Sequence, residues 1–192
     1  MFIIFLSWIS LQAYLFAPVS TFLVAIGWQL FLHPRQVMRK RLVNEGVAML
    51  LRYYLIFGWL LRSHSISTAL AMYSFYVWVG AMYIFINFSV SHTHKPALDA
   101  DKHIDWVLYS ANHTTNVTPS WWCNWWMGYL NFQIEHHLFP CMPQFRHPLI
   151  VPRVKALFKK HGVVYDVRSY AQCLAATFGN LHNVGNDHHH HD

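Results

Sequence analysis

The chain has 192 residues, of which 55% are hydrophobic and 17% aromatic but only 11% charged, against roughly a quarter charged in an average globular protein. That balance excludes intrinsic disorder and argues against an ordinary soluble domain. The net charge is +6, but most of that excess is wedged between hydrophobic runs, where it suits lipid headgroups and the positive-inside rule better than nucleic acid.

Residues 1–34 and 63–91 contain no Asp, Glu, Lys or Arg. Runs that long read as membrane-embedded helix, because a span takes about 20 apolar residues. Met1 is followed directly by apolar residues without a basic n-region, so no cleavable signal peptide is expected. The first block, residues 1–33, would measure about 50 Å as one straight helix, well beyond a hydrocarbon core of roughly 30 Å. Pro18 divides it, and a kinked helix, a short hairpin, or one span with an interfacial piece all remain open. Arg35, Arg39, Lys40 and Arg41 then form a basic juxtamembrane cluster. A second block runs from about Leu42 to Leu61 and a third from about Ile66 to Ser91, joined by Arg62-Ser63-His64-Ser65. With the basic cluster in the cytosol the two blocks make a helical hairpin, and residue 92 onward is cytosolic again. Arg52, inside the second block, faces a protein interior, an interface or water, or snorkels from near a helix end.

From His92 the composition turns soluble-like but stays aromatic. Ser120-Trp121-Trp122-Cys123-Asn124-Trp125-Trp126 favours a membrane–water interface. Helical character follows to about Leu138, and Pro140, Pro143, Pro148 and Pro152 then predict an irregular connector. A short amphipathic helix is expected over 152–161 and another helix over 169–178, with Ser169 as its N-cap. His188-His189-His190-His191 reads as a tag-like end. Cys123, Cys141 and Cys173 are odd in number and unpaired in spacing, which supports neither a disulfide framework nor a zinc ribbon. The expected fold is all-α: an integral membrane helical bundle of about two to four spans with a cytosolic helical cap. The divisions are transmembrane helices over 1–91, a cytosolic C-terminal part over 92–180, and a tail over 181–192.

The chemistry-bearing stretch is Gln133-Ile134-Glu135-His136-His137. Positions i, i+3 and i+4 share a helix face, so Gln133, His136 and His137 point one way and Glu135 nearly the opposite way. Two neutral imidazoles beside an amide suit a transition metal; two packed, hydrogen-bonded histidines are the plainer alternative. In Ser91-His92-Thr93-His94, where the third block ends, one histidine could join that face. His92, nearer the span, is favoured over His94. His103, His113, His147 and His161 lack partner spacing and read as surface or structural. Asn87, Ser89 and Ser91 are costly in lipid unless they face a cavity or partner; Asn87 either orients a metal-bound water or makes a helix–helix hydrogen bond. Of three Asn-x-Ser/Thr triplets, at Asn87, Asn112 and Asn116, the first is excluded as a glycan acceptor by its membrane depth, and the other two, in conflict with a cytosolic histidine face, are read as chance matches.

Asn131-Phe132-Gln133-Ile134-Glu135-His136-His137-Leu138-Phe139-Pro140, followed by Met142-Pro143, closely resembles the third histidine box of front-end fatty acid desaturases, membrane enzymes with a fused cytochrome b5 domain. Gln in place of the first box His is their distinguishing feature. The likeness extends more loosely over residues 10–180, including Lys159-Lys160-His161-Gly162. The resemblance implies a non-haem di-iron enzyme of the endoplasmic reticulum. It would place a cis double bond between an existing one and the carboxyl end of a fatty acyl chain. O2 and electrons from cytochrome b5 and its reductase would drive the reaction. Residue by residue, it implies His136 and His137 as iron ligands, Gln133 as a ligand or orienting group, and His92 as the extra histidine after the last span. The family's two earlier boxes, HxxxH and HxxHH, and the haem-binding HPGG of the cytochrome domain do not occur here. The chain thus resembles the C-terminal portion of such an enzyme. A sphingolipid desaturase shares the Gln-type box, and a catalytically inactive membrane fragment or pseudo-enzyme is the alternative of another class. A zinc hydrolase is disfavoured because no HExxH occurs.

Overall fold

A computed structural model describes residues 12–95 and 105–187. Its regular structure is helical apart from one two-residue parallel strand pair, as an all-α fold requires. The chain divides into two compact units, Tyr14–Phe85 and the residues from Ile86 onward.

Residues 12–40 form one helical run, α1, through Pro18 rather than a hairpin, and from Tyr14 onward it belongs to the first unit. Two stretches, Phe16–Ser20 and Trp28–Leu32, widen into π turns. Proline lacks the N–H that the regular ladder needs, and a π turn absorbs that loss. Outside donors bond carbonyls in both π turns: Trp78 Nε1 donates to the Pro18 oxygen at 2.8 Å, and the Tyr53 hydroxyl to the Gln29 oxygen at 2.9 Å. Arg41 ends the run in the left-handed region at φ 52°, and α2 (Val43–Leu60) and α3 (Ile66–Ser89) follow. Ala25, Tyr73 and Val77 pack as the core, with Tyr53, Ile56 and Phe57 against them. Arg52 donates to Gln29 Oε1 at 3.0 Å, so its charge is held by a polar partner on α1. Among the described residues α3 is the helix long and apolar enough to cross a membrane, and only 17% of its most apolar window is buried. That exposure sets it apart from the core helix of a soluble protein. Val43–Leu60 carries Glu45 and Arg52 and does not reach that mark.

The second unit begins with the last turn of α3. Ile86 and Val90 pack with Val117, Cys123, Met127 and Cys173. Asn87 Oδ1 accepts from the Tyr170 hydroxyl at 3.1 Å, the interhelical bond among the two roles open to it. The elements that follow are α4 (Trp106–Asn112), β1 (Asn116–Val117), α5 (Trp121–Trp126), α6 (Gln133–Leu138), α7 (His147–Lys160), β2 (Val167–Arg168) and α8 (Tyr170–Asp187). Gly128 and Tyr129 turn the chain at φ 56° and 65°, so the helical character expected after the Trp belt is confined to α6. The amphipathic helix starts at His147, earlier than expected, because Pro148 lies in the first turn, where its missing N–H costs nothing. Ser169 does cap α8: its hydroxyl accepts from the Gln172 N–H while Gln172 Oε1 accepts from the Ser169 N–H, a reciprocal capping box. α8 runs to Asp187, past the expected end at 178 and into the stretch expected as tail. Buried Leu181, and Asn180 donating to the Thr93 carbonyl at 2.8 Å, dock its second half. His103 and His188–His191 lie outside the described residues.

Candidate metal centre

α6 is only six residues long, and its own N-cap residue, Phe132, supplies no side-chain cap. So short a helix is marginal alone; here buried polar groups from elsewhere hold it. Asn116, on β1, accepts the Ile134 N–H at 2.8 Å and donates to Glu135 Oε2 at 2.7 Å. The Tyr165 hydroxyl donates to Glu135 Oε1 at 2.6 Å and accepts from Asn116 at 2.7 Å. Glu135 and Asn116 are 0% and 2% exposed. Burial first, and then the Glu135 carboxylate, push the Tyr165 phenol far up, so it stays a donor at every working pH. Lys155 lies 5.1 Å over the Tyr165 ring and adds positive charge near the carboxylate.

With Glu135 anchored on one side, the opposite side of α6 carries Gln133, His136 and His137. Gln133 Nε2 lies 2.9 Å from Nε2 of His92, across 41 residues of sequence. The amide N–H donates there, which makes that imidazole nitrogen the acceptor. His92 Nδ1–H points to the His113 carbonyl at 3.3 Å. This tautomer leaves the Nε2 lone pair of His92 on the α6 side. The His137 ring stands edge-on to His92 at 5.0 Å, and His136 is 5.9 Å from His137. Two imidazoles bound to one ion put their ring centres about 5 Å apart, so His92 and His137 have the spacing of co-ligands. Burial first, and then the neighbouring histidines, lower the pKa of His137 to about 4; burial likewise lowers that of His92. Both are neutral at pH 7, the form that binds a metal.

A second polar hub fixes the loop that carries His92. Burial alone would raise the pKa of Asp166, but hydrogen bonds from Lys95 (2.6 Å), Arg168 and Thr115 hold it at about 2. His94, the disfavoured member of its pair, bonds Thr115 at 3.0 Å instead of facing α6. His113 stacks on Tyr109 at 5.0 Å, and His161 is exposed. Cys123 and Cys173 are buried with raised thiol pKa values, and they stay protonated as core residues. Among the described residues no three His, Cys, Asp or Glu side chains converge tightly enough to enclose an ion. The donor set nevertheless fits a transition metal. It consists of imidazoles and an amide, and the buried His136 Nδ1 has no hydrogen-bond partner. Sequence reasoning missed Asn116 and Tyr165, and it placed Glu135 on the far side of the helix without a function. Asn116 lies in a triplet set aside as chance; its burial removes it as a glycan acceptor.

The fatty acid desaturase family model matches residues 1–169. The chain belongs to the fatty acid desaturase family. An acyl-lipid (8-3)-desaturase of Rebecca salina is 58% identical over 178 residues, which are 93% of this chain and 42% of that protein. One from Thraustochytrium sp is 46% identical over 183 residues, 93% of this chain and 41% of that protein. Fatty acid desaturase 3 of Bos taurus is 37% identical over 58% of this chain and 28% of its own length. The chain therefore spans about two-fifths of the length of the first two relatives. No solved structure matches it.

Proposed function

We propose that this chain is the C-terminal catalytic part of a multi-pass front-end acyl-lipid desaturase of the endoplasmic reticulum. Residues 1–91 are its membrane part and the residues after them its cytosolic part. The observation that carries this reading is the meeting of Gln133, His136 and His137 with His92, in burial that keeps His92 and His137 neutral. The printed names of the Rebecca salina and Thraustochytrium relatives support an acyl lipid as substrate.

In the proposed reaction two hydrogens leave neighbouring carbons of the acyl chain as the cis double bond forms. O2 takes them up with two further electrons and two protons, and leaves as two waters. The electrons come from cytochrome b5 and its reductase. An iron pair, when bound, supplies the O2 activation. His92, His136 and His137 are the ligands this chain would offer it. The His113 carbonyl holds the His92 ring at Nδ1–H; the Nε2 lone pair that accepts from Gln133 is the one a metal would take, so a bound ion would displace the amide N–H. Glu135, Asn116 and Tyr165 keep α6 in register, so both box histidines present together. Burial limits water around His92 and Gln133.

The test joins the upstream part of the Rebecca salina relative to this chain in a yeast host that supplies cytochrome b5 and is fed unsaturated fatty acids. Fatty-acid profiling should show a new double bond on the carboxyl side of an existing one. Gln133→Ala should abolish it while the protein still accumulates in membranes, because alanine has neither the amide's oxygen nor its NH2. A chimera that accumulates and binds iron without forming product would overturn the catalytic reading.

A further inference from the structure

His147 opens α7 and has no partner spacing in the sequence. In the structure it is 0% exposed. Neither of its ring nitrogens makes a hydrogen bond of normal geometry, although the Phe139 carbonyl is near enough to perturb the ring. Its ring lies 5.9 Å from that of His136 at 60°. Nδ1 of His136 is itself buried without a hydrogen-bond partner. A neutral imidazole carries one donor and one acceptor, and a buried polar group left unpaired costs about 1–3 kcal/mol. Two neighbouring rings thus leave three such nitrogens unsatisfied beside the candidate metal centre. Apolar packing does not account for that arrangement, since a phenylalanine would fill the same place at lower cost.

A metal-bound imidazole almost always donates its outer N–H to a fixed acceptor, which sets its tautomer and its aim. His92 has such an acceptor in the His113 carbonyl. We propose that His147 is the corresponding positioning residue for His136: its acceptor nitrogen takes the Nδ1–H of His136, and its own N–H turns to the Phe139 carbonyl. Nε2 of His136 is then left with its lone pair for the metal. The inference rests on the metal-centre reading above. Rings joined by a direct N–H···N bond have centres about 5 Å apart, so the bond requires these two rings, 5.9 Å apart, to close by about 1 Å. Phe139 directly follows α6 and His147 begins α7. The relay therefore links the end of one helix to the start of the next.

The test uses the same chimeric protein, purified metal-free, with Co(II) as the probe. Readouts are cobalt affinity, the cobalt absorption spectrum, and the thermal midpoint without metal. His147→Phe should weaken cobalt binding about 10-fold or more while the metal-free midpoint stays level or rises. His147→Gln should recover most of the affinity, since an amide can both accept from His136 and donate to Phe139. Wild-type affinity in His147→Phe would overturn the proposal, and so would an equal fall in its metal-free midpoint, which marks a packing role. A His147→Gln protein as weak as His147→Phe, with a spectrum missing one nitrogen, would also overturn it and make His147 a direct ligand. His136→Ala separates the two readings. If it leaves cobalt affinity unchanged, the metal centre itself fails; if it alone abolishes binding, only the role of His147 does.

Discussion

Tyr165→Phe removes one oxygen from the support of α6 and leaves the ring in place. That oxygen donates to Glu135 at 2.6 Å and accepts from Asn116 at 2.7 Å. The carboxylate it serves is wholly buried and would keep one side-chain donor, Asn116. A hydrogen bond to a charged group contributes about 1.5–3 kcal/mol. Loss of the second, neutral bond is partly offset because the phenylalanine ring leaves no oxygen to desolvate. A net loss of about 2 kcal/mol follows, or roughly 4–8 °C in melting temperature for a chain of this size. The assay is thermal unfolding of the detergent-solubilised protein, with Tyr54→Phe as control because Tyr54 is 75% exposed. Tyr165→Phe should melt several degrees below wild type and the control within about 1 °C of it. Equal midpoints for the two variants would refute the claim that the Glu135–Asn116–Tyr165 triad holds the histidine face in place.

Two other predictions concern acidity and topology. His137 in the folded chain has a pKa of about 4 and His92 is also lowered, against 6.5 unfolded. Below pH 6.5 the unfolded chain therefore takes up protons that the folded one refuses. The melting temperature should fall from pH 6.5 to about 4, where this loss levels off; the Asp166 contribution, present above 3.8, should then disappear as pH drops through about 2. A flat profile between pH 6.5 and 4 would contradict the burial argument. The proposed cytosolic face predicts no mobility change when microsomes carrying the chain are treated with an Asn-glycan-cleaving enzyme. Asn112 is the exposed acceptor and Asn116 is buried, so a shift abolished by Asn112→Gln would place this unit in the lumen.

Local chemistry made much of the molecule legible in its sequence. Uncharged apolar runs reveal helices because backbone groups in lipid must bond within their own segment. Ser169 reveals a helix start because capping involves residues only three apart. Gln133, His136 and His137 share a face because 3.6 residues make a turn. Each of these is fixed by neighbours a few positions away. What the tertiary structure decided lies further off. It chose His92 over His94, since a loop pinned by Asp166 turns one ring to α6 and the other to Thr115. It drew Asn116 and Tyr165 from opposite sides of the box to hold Glu135, and buried His147 beside His136. It also carried α8 past its expected end through the docking of Asn180 and Leu181. Sequence spacing has no rule for contacts 19, 30 or 41 residues apart. They form because a buried charge or imidazole must find a partner, and only the folded chain determines which partner is within reach.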